Sequence, residues 1–511
     1  MTAHSLNALP AELRNEVVAA LQERPKRQAA EAQVKILMEE LRLLRAYRFG
    51  RSSEKLSDGQ IDLFTNAIFA ANVPAAETPG AAKEKPARKS RPNHPGRHPF
   101  PAHLERIDEP VALSEEERTC DHCGGEMDVI GIETREELEE VPAQLRVRAF
   151  HHEVGKCPCC TDKPMMAEGP DRLIPGGSAG PSIHARVIVD KFVDHQPLDR
   201  QERKFKREDI YISRKTMSGW LKQLFPFMEL IANDIRLELL AGDYLQADET
   251  PVPMQSADKI GKHHQSYFWG YNRPDGPIYF EFRTDRSRAG PAKMLAGYGG
   301  ILQHDGYTAY LKVGREPTHV ACMAHIRRTF FEAEKAGDPR ARRIVRMIGW
   351  LYKQERKARK EQLSAEERHT LRQGRSQKIM HVLERRITRM ALDPDITPGS
   401  KLGKACAYAL GQWSHMKNYL SDGRIEIDNN LMENEIRPIT LGRKNWLSIG
   451  SELGGEMAAV YLTLVANCKR LQINPRTYLE DVMRRLPGHD QTRIHELTPA
   501  AWKAEQAAKN A

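Results

Sequence analysis

No run of apolar residues in this chain approaches the ~18 needed to span a bilayer. The N-terminus, MTAHSLNALPAELRNE, lacks the charged-then-apolar pattern of a secretion signal. Together these absences predict a cytoplasmic protein without a membrane partner. Cysteine is scarce outside one window: of eight, five fall between Cys120 and Cys160. In a reducing compartment such a cluster predicts metal ligation before disulfides. No internal repeat is present. What the chain does have is length and positive charge. Its 511 residues allow about three or four domains, and 40% hydrophobic content is enough to build cores. A net charge of +9 and a pI near 9.0 favour a polyanionic partner.

Pattern and composition divide the chain. Residues 11–23 and 28–47 read as helices in an N-terminal, zipper-like segment (1–72). Val34, Leu37, Leu41 and Leu44 follow the 3-4-3 spacing of a coiled-coil seam, which an ordinary amphipathic helix also shows. Residues 73–105 form a basic, Pro-rich linker around KEKPARKSRPNHPGRHP, which has almost nothing to bury. A cysteine-bearing domain follows (106–170), then a helical segment (180–240). From Asp243 short strands appear: DYLQAD, SYFWGYN, IYFEFR, GILQHD and HVACM, with a helical stretch, RAGPAKMLAGY, after the third. Residues 324–420 read as charged helices. Ser364 with Glu367 spells a capping box, and Ile379, Val382, Leu383, Ile387 and Met390 mark one buried face. Met457, Val460, Tyr461, Leu464, Val465 and Cys468 form a stripe in the C-terminal helical segment (451–488). Asn474-Pro475 starts the last helix. The tail beyond Pro487 reads as loosely ordered.

Cys120-Asp-His-Cys123 and Cys157-Pro-Cys159-Cys160 supply two C-x-x-C turns. Each aims two thiolates at one point, and two complete a tetrahedral zinc shell. A closed structural zinc ribbon on Cys120, Cys123, Cys157 and Cys160 is the expectation. Cys159 is the spare, and His122, His151 and His152 are substitutes. Further on, Ser213 can cap a helix whose core face is Met217, Trp220, Leu221 and Leu224. Arg214, Lys215 and Ser218 point elsewhere. A preceding helix carries Arg200, Arg203, Lys204, Lys206 and Arg207. A helix, a short turn and a helix with a basic leading end is the form in which a recognition helix enters the DNA major groove, although many helical pairs that never touch DNA look the same.

The strand DYLQAD ends in Asp248, with Pro251 close behind, so Asp248 is expected near a strand end. GILQHD ends likewise at Asp305, with Gly306 turning the chain. Aspartates at the ends of neighbouring strands can meet at one hard cation such as Mg²⁺. Two such ions about 3.5–4 Å apart can hold the attacking and leaving oxygens of a phosphoryl transfer, and a third carboxylate usually completes the site. In IDNNLMENEIRPITLGRKNW a helix from Asn429 puts Asn430, Glu433 and Arg437 within about 60° of arc. Met432 and Ile436 form the adjoining buried stripe, Glu435 lies on the far side, and Asp428 is placed as N-cap. The alternative is a surface Glu433–Arg437 pair.

Several stretches carry a resemblance. DET at 248–250, DGYTAY at 305–310, CMAHIRRTF at 322–330, DNNLMENEIRP and LGRKNW at 428–446 resemble the DDE transposases of the IS66 group of insertion sequences. So do RFGRSSEKL after the zipper-like helix, the C-x-x-C pairs, HQPLDRQE with ISRKTMSGW, and NPRTYLEDVMRRL. The likeness runs in order from about residue 30 to 486. It implies a multidomain α+β protein: a zinc ribbon and N-terminal helix ahead of a ribonuclease-H-like α/β core (241–450) with a helical insertion at about 331–425. It implies Asp248, Asp305 and Glu433 as the ligands of two Mg²⁺ (or Mn²⁺) ions that cut element ends and transfer strands. The family more often has Glu-Arg where this chain has Glu433-Asn434-Glu435, which leaves Glu435 as a rival. Cys322 and His325 resemble a Cys/Asp-x-x-His signature of several DDE groups, with an accessory or an ordering role. Arg327, Arg328, Arg437, Arg443 and Lys444 are the phosphate contacts to expect; Trp446 reads as a core residue or a base stacker. The implied partners are double-stranded DNA (element ends and target), further copies of the chain, and small accessory proteins of the same element, at the nucleoid. The competing readings are a DNA-binding regulator with an inactive core and a structure-selective nuclease.

Overall fold

The structure, a computed structural model, describes residues 29–44, 145–150, 154–155, 165–166, 171–177, 179–256 and 262–510. The 11–23 helix, the 73–105 linker, Cys120, Cys123, Cys157, Cys159, Cys160, His122, His151 and His152 lie outside them. The chain divides into two units, Ala71–Pro170 and the remainder. In the smaller unit β1 (Val154–Gly155) pairs antiparallel with β2 (Met165–Met166).

The larger unit holds helix α1, residues 29–44, which meets the rest through Glu39, whose carboxylate accepts from the Lys401 amide at 2.9 Å. The seam residues Val34, Leu37, Leu41 and Leu44 are exposed, and the buried position is Leu43. Next come α2 (Pro181–Phe192), α3 (Leu198–Arg207) and α4 (Arg214–Leu240). Ser213 caps α4 as expected, its hydroxyl accepting from the Thr216 amide, and Met217, Trp220, Leu221 and Leu224 are buried.

A five-stranded sheet follows: β3 (Tyr244–Gln255), β4 (His263–Asn272), β5 (Ile278–Arg283), β6 (Ile301–His304) and β7 (Thr318–Ala321), with α5 (Ala289–Met294) before β6. The order is β5-β4-β3-β6-β7. The first three strands form an antiparallel meander, and β6 and β7 run parallel to β3. β3 outruns its expected end. It passes through Pro251 and Pro253 and pairs with β4 to Gln255. The prolines are tolerated because the parallel partner β6 reaches only Gln246. The Pro253 carbonyl and the Gln255 amide both bond Ile449, so this alternate set of residues faces away from β4. The missing proline N–H groups therefore cost no bond to β4.

The remaining helices are α6 (Met323–Lys335), α7 (Pro339–Lys360), α8 (Ala365–Leu371), α9 (Gln377–Ala391), α10 (Lys401–Lys417), α11 (Asn430–Trp446), α12 (Glu452–Arg470), α13 (Pro475–Arg485) and α14 (Pro499–Asn510). α6, α7, α9 and α10 share one core with Tyr244, Val320 and Ala321, while Leu245, Ala247, Trp269 and Leu302 pack with Leu295 and Tyr310 in another. The Ser364–Glu367 capping box forms on α8. On α9 the buried set is Met380, Leu383 and Ile387; Val382, expected inside, is exposed. α12 covers the outer edge of β5. Thr463 Oγ1 accepts from the Phe280 amide at 3.0 Å, and the Asn467 side chain bonds both the N–H and C=O of Ile278, which removes an open strand edge. The tail is ordered, contrary to expectation. The Trp502 indole donates to Asp481 at 2.8 Å, Tyr478 donates to the Leu497 carbonyl at 2.7 Å, and Leu497 is buried.

Candidate active site

Register brings the first two acids together. Gln246 of β3 lies opposite Gln303 of the parallel β6. Two residues beyond that pair come Asp248, still in β3, and Asp305, in the turn just after β6, and the Asp305 charge acts on Asp248. Strand side chains alternate faces, so each aspartate shares a face with its glutamine. Asp305 is held in a tight turn. Its carboxylate accepts from the Tyr307 amide at 2.8 Å and its carbonyl from the Tyr408 hydroxyl at 2.6 Å. Gly306 has φ +97°, and its amide donates to His304 Nδ1 at 3.0 Å. That bond leaves the neutral ring's proton on Nε2, which faces His319 Nδ1 at 3.1 Å. Burial, then the nearby His319 and His415, pulls the His304 pKa down to about 3. Gly306→Ala should destabilise the fold by about 1–3 kcal/mol through its left-handed backbone, and its added Cβ would lie 2.8 Å from Gln412. Equilibrium unfolding checks this, and an unchanged midpoint would contradict it.

The two glutamines then fix the third acid. Gln246 Nε2 donates to Gln303 Oε1 at 2.8 Å and to the Asp428 carbonyl at 3.1 Å. Gln303 Nε2 donates to the Glu426 carbonyl at 2.8 Å, and the Glu426 amide donates to the Tyr244 hydroxyl at 3.0 Å. Asn429 Nδ2 donates to the Ala247 carbonyl at 2.9 Å. Residues 426–429 are thus strapped across β3 and β6, and α11 starts on the face that carries both aspartates. Its N-cap is Asn429, one residue later than expected, with Asp428 accepting from the Asn430 amide at 3.1 Å. Met432 and Ile436 are buried as their spacing requires. Gly270, paired with Asp248, makes room for Met432.

Glu433 and Glu435 part company here. Glu435 turns to Arg470 of α12 at 3.5 Å. Glu433 faces His325 Nδ1 at 3.7 Å and Arg328 at 3.9 Å, and not Arg437 as in the surface-pair alternative. Burial holds the Asp248 pKa well above the carboxylate range, helped by the charges of Glu249, Asp305 and Glu433. The charges of Asp305 and Glu433 thus reach Asp248, but the three acids do not bring their carboxylate oxygens within 4.8 Å of one another. Among the described residues, the His, Cys and carboxylate side chains whose ligand atoms all lie within 4.8 Å of one another are Cys322, His325 and Glu433.

Glu249 has a part that the sequence did not reveal. Its side chain is 1% exposed and accepts from the Tyr310 hydroxyl at 2.7 Å and from Arg286 Nε at 2.9 Å. Arg286 in turn lies 3.9 Å from the Tyr307 ring centre. The only signal was its place beside Asp248. Of the basic residues named from sequence, Arg328 stands at Glu433, Arg443 donates to the Pro251 carbonyl, and Arg327 lies over the Phe331 ring at 5.6 Å. Arg437 and Lys444 are exposed, as are Arg214 and Lys215 at the start of α4. Arg200 of α3 reaches Asn445 at 3.3 Å, so the basic α3 adjoins the basic end of α11. Trp446 is half-buried.

The family profile described as "Transposase IS66 family" matches residues 176–457, a span that contains the sheet, Asp248, Asp305, Glu433, Cys322 and His325. The chain belongs to the IS66 transposase family. Three further profiles of the family match in order: "Transposase C of IS166 homeodomain" at 36–108, "zinc-finger binding domain of transposase IS66" at 117–161, and "IS66 C-terminal element" at 463–500. Two relatives from Sinorhizobium fredii match most of the chain. The uncharacterized protein y4hP is 31% identical over 94% of this chain and 90% of its own length, and y4jD is 33% identical over 81% and 83%.

Within this IS66 chain the helices between β7 and α11 are locked by one buried cation. Arg372 opens a short π-helical turn, Arg372–Ser376, and is fully buried. Its guanidinium bonds both oxygens of Glu355, at 2.9 and 2.8 Å, and the carbonyls of Tyr419, Asp422 and Ile425. Arg368 and Arg359 then tie Glu426, which belongs to the strap beneath α11. Among the described residues no helix is long and apolar enough to cross a membrane.

Proposed function

We propose that this IS66 chain is a metal-dependent DNA transposase that cuts element ends and joins them to target DNA through Asp248, Asp305 and Glu433. The observation that carries the reading is the parallel register of β3 and β6, with α11 strapped over the same face. The order β5-β4-β3-β6-β7 supports a ribonuclease-H-like core, with residues 331–425 as its insertion. The donor set fits a hard divalent cation such as Mg²⁺ or Mn²⁺: three carboxylates. Glu433 Oε1 is buried without a hydrogen-bond partner among the described residues. Burial, and then the charges of Glu249, Asp305 and Glu433, raises the Asp248 pKa, and a bound cation would offset both. When bound, such ions supply charge stabilisation at the attacking and leaving oxygens. The protein's own share is to present the three carboxylates from the interior of β3, the turn after β6 and the helix α11. Arg328, Arg437, Arg443 and Lys444 offer charge to phosphates. Arg214 and Lys215 on α4, with α3, offer a second basic surface for duplex DNA.

The zinc-finger profile and the spacing of Cys120, Cys123, Cys157 and Cys160 support a structural zinc. Pairing two ends calls for more than one copy of the chain, and the exposed seam of α1 is available for that contact; small accessory proteins of the same element complete the expected partners. The test is purified full-length protein with a duplex carrying the element's terminal repeat, with and without Mg²⁺. Nicked and joined products that require Mg²⁺ are expected. Tight binding to the repeat with neither product would favour a regulator, and cutting of branched DNA without joining would favour a nuclease.

A further inference from the structure

Glu433 has a second set of neighbours that a Mg²⁺ site does not need. Cys322 is the N-cap residue of α6, and His325 lies on the first turn of that helix. Met323 is tied to the strap by its amide, which donates to the Ile427 carbonyl at 3.1 Å, so the start of α6 and the start of α11 are locked together. Cys322 Sγ accepts from the Asn429 amide at 3.2 Å and from the His325 amide. Burial raises the Cys322 thiol pKa above its ordinary value, and the two N–H···S bonds offset part of that. His325 Nδ1 and Glu433 Oε1 face each other at 3.7 Å, and both are buried without a hydrogen-bond partner among the described residues. That separation is too long for a hydrogen bond. It is close to the roughly 3.4 Å that two ligands keep when each sits about 2.0–2.1 Å from a tetrahedral ion. The sulfur completes a group whose ligand atoms all lie within 4.8 Å.

We infer that Cys322, His325 and Glu433 form a binding site for a borderline-soft divalent cation of the Zn²⁺ class, and that this site competes with the carboxylate pair Asp248 and Asp305 for Glu433. Sulfur and imidazole are poor ligands for Mg²⁺ and good ones for Zn²⁺. Binding exchanges one proton for one metal bond: the Cys322 S–H proton leaves to solvent, and the thiolate, a neutral imidazole and the Glu433 carboxylate hold the ion. A fourth position stays open to water. A carboxylate drawn to this ion cannot also complete the Asp248–Asp305 site, so Zn²⁺ antagonises the Mg²⁺-driven reaction.

The inhibition arm rests on the proposed transposase activity; the binding arm does not. Full-length protein, purified with its resident zinc, is titrated with Co²⁺ and followed by absorption. The expected result is a sulfur-to-cobalt charge-transfer band, with intense visible bands of tetrahedral Co²⁺, at one added equivalent. These bands should vanish in Cys322→Ser and weaken in the half-exposed His325→Gln, which guards against a fold defect in the first variant. Bands that persist unchanged in both variants would come from the other cysteines and would overturn the site. In the DNA reaction with Mg²⁺, the Zn²⁺ concentration giving half inhibition, taken against each variant's own zinc-free rate, should rise in Cys322→Ser. The rise should reach at least the roughly 10–100-fold that loss of an outer metal-site partner costs; an equal value in wild type and variant would refute the competition. A protein that shows the cobalt bands but no Mg²⁺-dependent reaction would keep the site and reject the transposase reading.

Discussion

Asp248→Asn should abolish cutting and joining, by a factor on the order of 10³ or more, while binding to element ends survives. Preorganised charge at a reacting centre supplies at least that much. Asp305→Asn and Glu433→Gln should behave alike. Glu435→Gln should not, because Glu435 belongs to Arg470. A single-turnover assay on end DNA reads all four. Retained joining in Asp248→Asn would contradict the reading, and so would a loss confined to Glu435→Gln. The same substitution has an opposite effect on stability. The Asp248 pKa is raised in the folded protein, so from the unfolded value of about 3.9 upward the native state binds more protons than the unfolded chain. Stability therefore falls as pH rises through that window, by about 1.4 kcal/mol per pH unit for as long as the native carboxyl keeps its proton. Asp248→Asn should melt higher than wild type at pH 8 without Mg²⁺, and the gain should disappear below pH of about 4, where both states carry a neutral group.

Arg372→Ala should be the most damaging change outside the acids, costing about 3–5 kcal/mol. It would leave the Glu355 carboxylate, which is almost wholly buried, with Arg368 alone, and would strip three carbonyls of their donor. Lysine should not rescue it, since an ammonium cannot reproduce the forked set of bonds. Burial pushes the Glu355 pKa up, but the bonds and charges of Arg372 and Arg368 outweigh it and leave the net value below normal. This contribution is therefore present above the unfolded glutamate pKa and is lost as pH falls through the lower folded value. Removing both partners together, as Arg372→Met with Glu355→Leu, should cost less than Arg372→Ala alone. Urea unfolding of the variants decides it, and additive losses would contradict the account. Because Glu426 is tied into the same network, Arg372→Ala should also weaken the strap that positions Glu433.

The sequence made much of the site legible because periodicity carried it. Asp248 was expected at a strand end and lies inside β3, Asp305 does follow the end of β6, and the 100° step of a helix put Glu433 and Glu435 on different sides, as their separate partners show. Met217, Trp220, Leu221 and Leu224 were found in the same way. What stayed hidden depends on neighbours far off in the chain. Pro251 suggested a strand end because nothing local says that β6 stops at Gln246 or that Ile449 returns to pair with the far end of β3. Val382 and Met380 flank the Ile379–Leu383–Ile387 stripe of α9 on opposite sides, and only packing chooses between them. The tail looked loose because its anchors, Asp481 for Trp502 and Tyr478 for the Leu497 carbonyl, sit on another helix. A buried Arg372, the His304–His319 contact and the clamp on Glu249 have no local signature. Each joins polar groups that meet only once the sheet and the helices beside it have formed.

The central claim is that Asp248, Asp305 and Glu433 hold divalent cations together. Crystals of the full-length chain with Mn²⁺ and end DNA, measured at the manganese absorption edge, test it most directly. Anomalous peaks bonded to carboxylate oxygens of all three residues are the expected result, with Glu433 turned away from His325. Manganese bound elsewhere, with Glu433 still against His325 and Arg328 while DNA is in place, would contradict it.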